Sequence, residues 1–254
     1  VGGSLPSSGG PPPYVASAVN FDGLTTQISV PLPFIGGSDT GKFIASWWMA
    51  NTVAGVDSHH SDVLPLCSYP NGLITIGSQG FINNGPTPFI ADFYDGTASF
   101  NLQEILSDDS IYPVTPWTHF AVNVDLEHAD PNKVQQYYIN GTPAGFINDF
   151  SYAPSLIVSL SEESLMYVGT DGFSDRCAFD LCDMQFWAGT STDFSLTIGN
   201  LISGGKPVNP SVAATAFGPQ TILFSGDQVG FPVNGGTGGT ATLTGPLTNA
   251  ATHP

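Results

Sequence analysis

Asp125 and Glu127 stand two residues apart in WTHFAVNVDLE (117–127), the cleanest apolar–polar alternation in this 254-residue chain. On an extended strand that spacing puts both carboxylates on one side. Two carboxylates so placed have the chemistry to divide acid and base duties. They serve equally as the solvated outer face of a half-buried strand, the assignment favoured by Phe120, Val122, Val124 and Leu126 on the other side. His119 has the setting of a packed, hydrogen-bonded structural histidine rather than of a base. His59 and His60 in DSHHSD are adjacent, so an extended chain points them to opposite faces, away from any shared ion, and an exposed loop is expected. No Gly-x-Ser-x-Gly elbow supports a serine triad. Cys67, Cys177 and Cys182 have no zinc-ligand spacing. Cys177 and Cys182 either bridge across Ala-Phe-Asp-Leu or pack as free thiols.

The elements that must carry these residues are strands. Thirty glycines and 21 prolines punctuate the chain, and runs of helix formers at helical spacing are missing. KFIASWWMA (42–50) is apolar on both faces, as in a strand between two layers, with Trp47 and Trp48 on opposite sides and one of them facing the opposite sheet. In YYINGTPAG (137–145), Asn140-Gly141 predicts a tight hairpin turn, because both residues tolerate positive φ. Asn140-Gly141-Thr142 is also an N-glycosylation pattern, weak as a single match. Further strands are expected at 72–82, 88–96, 164–170 and 182–189, with a short helical turn near 191–198. Residues 1–13 read as a flexible or draped Gly/Pro/Ser arm and 14–200 as one domain. Residues 201–254 read as an extension: a loop to about 220, then strands within 221–226 and 239–245. Too few apolar anchors stand there for a core of its own.

Charge excludes two classes of partner. Four basic residues face 21 acidic ones, for a net charge of −17, so phosphate backbones and anionic membranes are repelled. Divalent cations or a basic partner suit such a surface. No run approaches the ~18 apolar residues of a membrane span. The first residues lack the charged and apolar regions of a signal peptide, and the Val1 start is consistent with removal of an initiator methionine or a leader.

Five segments occur in a suggestive order: VNFDG (19–23), FIASWWMA (43–50), WTHFAVNVD (117–125), VQQYYINGTPAG (134–145) and YVGTDGFSDRCAFDLCDMQFWAG (167–189). Together they resemble the laminin-G-like branch of the concanavalin A-like lectin/glucanase superfamily, over roughly residues 15–190. The resemblance implies an all-β, concanavalin A-like jelly-roll sandwich of two antiparallel sheets, here with extended N- and C-terminal segments. It places Trp117 and Trp187 in the core. It draws attention to Asp22, Asp171, Asp175 and Asp183 as calcium ligands, although Asp22 has an alternative as the cap of its own turn. Sugar recognition on this fold needs exposed aromatics beside amides and carboxylates, which makes Tyr137, Tyr138, Asn140 and Asp125 the candidate ligand-binding set, with Phe93 and Tyr94 as further platform aromatics. Packing is the ordinary use of aromatics at strand spacing. Glucan-cleaving members carry a Glu-x-Asp-x-x-Glu strand. Of Glu104, Glu127, Glu162 and Glu163, no two are four or five apart, so no enzyme is expected.

The segments GKPVNPSVAATAFGPQTILFSGD (205–227) and NGGTGGTATLTGPLTNAATHP (234–254) are similar to the C-terminal extension of laminin-G-like proteins encoded by tailed phages and prophages. That likeness implies a non-enzymatic virion structural protein, a capsid decoration or tail- or fibre-associated subunit, with extended termini lying on neighbouring subunits and some glycan-binding capacity. The alternative is a secreted or cell-surface lectin-like carbohydrate-binding module, calcium-assisted in some relatives.

Overall fold

The computed structural model describes residues 14–31, 41–50, 117–130, 133–144, 165–170 and 178–254 in full, and the backbone alone of strands at 63–69, 74–78, 89–94 and 101–106. In chain order the strands are β1 (Val19–Asp22), β2 (Gln27–Pro31), β3 (Lys42–Ala50), β4 (Val63–Tyr69), β5 (Ile74–Ser78), β6 (Phe89–Tyr94), β7 (Asn101–Leu106) and β8 (Thr118–Asp125). There follow β9 (Gln135–Ile139), β10 (Thr142–Pro143), β11 (Leu165–Val168) and β12 (Ala178–Ala188). After the short helix α1 (Phe194–Thr197) come β13 (Ile202–Ser203), β14 (Lys206–Pro207), helix α2 (Pro210–Phe217), β15 (Ile222–Phe224), β16 (Thr242–Thr244) and β17 (Thr248–Asn249).

Two antiparallel sheets form the sandwich. One runs β10-β9-β8-β3-β12-β1-β17, with β15 also on β12, and the other runs β16-β2-β11-β4-β5-β6-β7. Between them lies a core of Phe21, Phe43, Trp47, Phe120, Phe179, Phe186 and their aliphatic neighbours. Trp47 stacks on Phe120 with ring centroids 5.5 Å apart. One tryptophan of β3 therefore faces the opposite sheet, as its period-2 pattern requires.

Trp48, on the other face, is also buried, under Ala16, Ala18 and Ile202, and beside it the first sheet has a third layer. Phe194, Leu201 and Ala213, from the segment after β12, pack on Ile44, Ala121, Tyr138 and Trp187. Each large side chain closed off this way contributes about 1.5–3 kcal/mol, enough in sum to fix a segment with little regular structure. The expected loop up to residue 220 is thus corrected in part. It holds α2, capped by Asn209, whose Oδ1 accepts the Ser211 N–H at 3.0 Å, and ended by Gly218 at φ 91°. Asn-Pro before an alanine-rich run and glycine after it are helix punctuation. Counted only as turn formers, they hide the helix.

The tail closes the rim of the sandwich. β15 continues β1 along the same edge of β12: β1 covers Ala178–Leu181 and β15 covers Met184–Phe186. Phe231 then enters the core beside Phe224, with ring centroids 5.9 Å apart. β16 adds to β2 in one sheet and β17 to β1 in the other. The crossing is Gly245-Pro246-Leu247. Gly245 sits at φ 78°, and a Cβ there would lie 2.5 Å from the Thr25 carbonyl oxygen, so only glycine fits. Among the described residues, no helix is long and apolar enough to cross a membrane.

Candidate functional site

The hairpin that carries the candidate sugar contacts is built as its sequence demands. Asn140 and Gly141 take φ of 50° and 76°. The Asn140 N–H donates to the His119 carbonyl at 2.8 Å, and its Oδ1 accepts the His119 N–H at 2.9 Å. The side chain thereby replaces the ladder acceptor that the backbone loses on turning away. Asn140 is exposed.

The two tyrosines before it are not a platform. Tyr137 is 3% exposed and lies in the intersheet core; Tyr138 is 7% exposed and meets Phe194 edge-on at 5.5 Å. The third layer turns what would be an outer, wet face into an inner one. Asp125 is buried for the same reason and is not on a solvated face. Its carboxylate accepts from the Ser191 hydroxyl at 2.7 Å and the Glu127 N–H at 3.1 Å, and lies 3.5 Å from the Lys42 ammonium. Lys42 also reaches Glu127, at 3.1 Å, so one lysine ties both carboxylates of the paired-acid idea. Phe93 and Tyr94 belong to β6, whose side chains lie outside the described residues. Trp187 is buried, with its indole N–H donating to the Gly218 carbonyl at 2.8 Å. Trp117 corrects the core expectation, since it is half-buried at a rim.

The polar residues of the outer face dock the third layer. Asn123 Oδ1 accepts the Thr192 N–H at 2.8 Å, and Gln136 Oε1 accepts the Phe194 N–H at 2.9 Å. Asp193 caps α1 by accepting the Ser195 N–H at 3.0 Å. It also takes the Lys133 ammonium at 2.6 Å and the Gln136 amide at 3.1 Å. Lys133, then Ser195 and Gln136, hold the Asp193 carboxyl well below the usual carboxylate range. No local pattern joins these residues, which lie up to 69 positions apart.

Ser46 and His119 form a buried pair, with Oγ to Nε2 at 2.9 Å. Burial pushes the His119 imidazole down to about 3, so it stays neutral, and its Nδ1 has no hydrogen-bond partner. Both residues are at most 1% exposed, which closes the pair to any substrate.

Neither described carboxylate of the calcium set fits an ion. Asp22 Oδ1 accepts the N–H groups of Leu24, Thr25 and Thr26 at 2.8–2.9 Å, and Oδ2 accepts the Thr25 hydroxyl at 2.7 Å. Burial works against its charge, but these donors outweigh it and hold the carboxyl below its ordinary range. Donors fill the place a cation would take. Asp22→Ala is expected to cost about 1–2 kcal/mol, in line with other capping carboxylates, and to lower Tm by several degrees. An unchanged melting curve would show that the turn holds without it. Asp183 is 1% exposed, at φ 47° on a bulge where Cys182 faces Trp48 and Gln185 faces Ser46. Both its oxygens accept from the Tyr14 hydroxyl, at 2.7 and 2.9 Å. Among the described residues no three His, Cys, Asp or Glu gather as for a metal. Asp171, Asp175, Cys177, His59, His60 and residues 1–13 lie outside the described residues. Cys182 is a buried free thiol.

No protein-family model matches the chain, and no curated protein matches it. Solved structures do. A Bacteroides ovatus protein provisionally named as carbohydrate-binding superposes with a TM-score of 0.53 at 11% identity, over 94% of this chain and 62% of that one. The full-length tailspike protein 2 of the Escherichia coli O157:H7 bacteriophage CAB120 superposes with a TM-score of 0.50 at 12% identity, over 77% of this chain and 25% of that one. The fold is an all-β jelly-roll sandwich. The chain spans less than two thirds of either protein, and at such identities the likeness extends to the fold and no further. The jelly roll nevertheless fits the sandwich of two antiparallel sheets that the order of its sequence segments implies.

Proposed function

We propose that this jelly roll is a non-enzymatic, glycan-contacting subunit of a phage-like particle, a capsid decoration or a tail- or fibre-associated protein. The observation that carries the proposal is the tail, which the sequence likens to phage-encoded extensions and which here clamps both sheets of its own domain. Such a clamp suits a protein that must persist outside a cell, as does a chain with only four Lys and Arg residues for basic-directed proteases to cut. The non-enzymatic part rests on the closed Ser46–His119 pair and on the shared lysine of Asp125 and Glu127. The tailspike likeness supports the phage-like particle, and the carbohydrate-binding name of the Bacteroides ovatus protein supports a surface that meets sugars. At a net charge of −17 those sugars are neutral rather than sialylated or phosphorylated.

Two measurements test this. Density-gradient fractionation of a producing culture should place the protein with particles. Its recovery only as free secreted protein would favour the second reading, a lectin-like module, which the Bacteroides ovatus likeness supports equally. A glycan array should show retention on neutral glycans and none on sialylated ones, and preference for the anionic ligands would overturn the charge reasoning.

A further inference from the structure

The geometry points to a neutral-sugar shelf at the rim where Tyr14 and the segment after β17 meet the start of β8 and the β9–β10 turn, with the Trp117 indole as its floor and Asn140 as its amide. This inference rests on the glycan-contacting reading and gives it a location.

Trp117 immediately precedes β8 and is half-buried, in the cluster formed by Tyr14, Trp48, Ile202 and Ala250. Its indole N–H donates to the Thr252 hydroxyl oxygen at 3.1 Å, which fixes the ring and leaves the threonine O–H able to donate outward. Trp117 and His119 share a strand face, and Asn140 stands across the ladder from His119. Positions diagonal across such a ladder are about 7–8 Å apart, within the span of one sugar residue. Ile202 lies near both: a Cβ on Gly141 would lie 3.2 Å from its Cγ2, and Ile202 packs in the same cluster as Trp117.

Asn140 has its Oδ1 committed to the His119 N–H, so the exposed amide presents its NH2 to a ligand. The shelf therefore offers an aromatic face for the apolar side of a sugar ring and two donors, the Asn140 amide and the Thr252 hydroxyl, for its oxygens. Its members are all uncharged in a strongly acidic chain, so a neutral ring reaches it without opposing a carboxylate. The Tyr14 ring borders the shelf while its hydroxyl is held by Asp183.

The test uses the full chain on an array of neutral oligosaccharides of glucose, galactose and N-acetylglucosamine, with solution titration of the best binder. Trp117→Ala should weaken binding at least tenfold and Trp117→Phe much less, since a smaller aromatic floor remains. Asn140→Asp keeps the positive φ and the Oδ1 acceptor but removes the NH2 donor, and should weaken binding several-fold with the melting curve unchanged. Thermal unfolding of each variant separates lost folding from lost contact. Wild-type protein that binds, with Trp117→Ala and Asn140→Asp binding equally well, overturns the shelf while leaving the glycan reading intact. Wild-type protein that binds none of these sugars overturns both.

Discussion

Asp183→Asn is expected to stabilise the protein by about 3 kcal/mol at pH 8 and to have little effect at pH 4. Asp183 sits on the β12 bulge, and burial, against which the Tyr14 and Cys182 hydrogen bonds work, pushes its carboxyl up from 3.8 to about 6. Among the described residues no lysine, arginine or histidine pairs with it; the described ion pairs join Lys42 and Lys133 to other carboxylates. Burial raises both titratable neighbours too, Tyr14 and Cys182, so both stay neutral. Between pH 3.8 and about 6 the folded state therefore holds a proton that the unfolded chain has released. The stability that this group contributes is highest below that window, falls through it, and stays low above it. Asparagine tolerates the left-handed conformation and keeps an oxygen for the Tyr14 hydroxyl, but brings no charge to bury. Urea midpoints of both proteins at pH 4, 6 and 8 isolate this one group from the other carboxylates. An equal loss of stability in the variant at pH 4 and pH 8 would mean that the ionised carboxylate is welcome where it stands.

Cutting the chain after Asn200 is expected to abolish folding rather than trim a loose end. Ile222, Phe224, Phe231 and Leu247 would leave the intersheet core, and their burial accounts for roughly 6–12 kcal/mol. A domain of this size has about 5–15 kcal/mol in total. The cut also uncovers the edges of β1, β2 and β12, which would then pair with other chains. The shortened protein should be recovered as aggregate or, if soluble, should melt without a cooperative transition. Phe231→Ala is the milder version, with an expected loss of about 3–5 kcal/mol. A fragment ending at residue 200 that gives a sharp transition would show the tail to be dispensable.

Much of the two-sheet frame was legible because its signals are local. Asn140-Gly141 declares its turn, and the alternation through Phe120, Val122 and Val124 declares its strand. The third layer was not legible. Its anchors, Phe194, Leu201 and Ala213, are too widely spaced to mark an element. The face it covers carries Asn123, Asp125 and Gln136, which pattern alone assigns to water. These polar groups stay inside because a layer made of turns brings unpaired N–H groups of its own, from Thr192 and Phe194, that need acceptors. For that reason Tyr138 reads as an exposed aromatic although the third layer covers it, while Tyr137 turns into the intersheet core. Trp117, which the resemblance assigns to the core, instead sits half-buried with its indole held by the tail's Thr252, a contact across 135 positions that no local pattern carries.

The pairing of Asn20 with Thr248 also sets a clock. During synthesis at roughly 5–20 residues per second, β1 waits tens of seconds for the strand that completes its edge. Contacts of such sequence separation close late and slowly. The nascent chain thus carries two unfinished sheet edges, at β1 and β2, until β16 and β17 emerge.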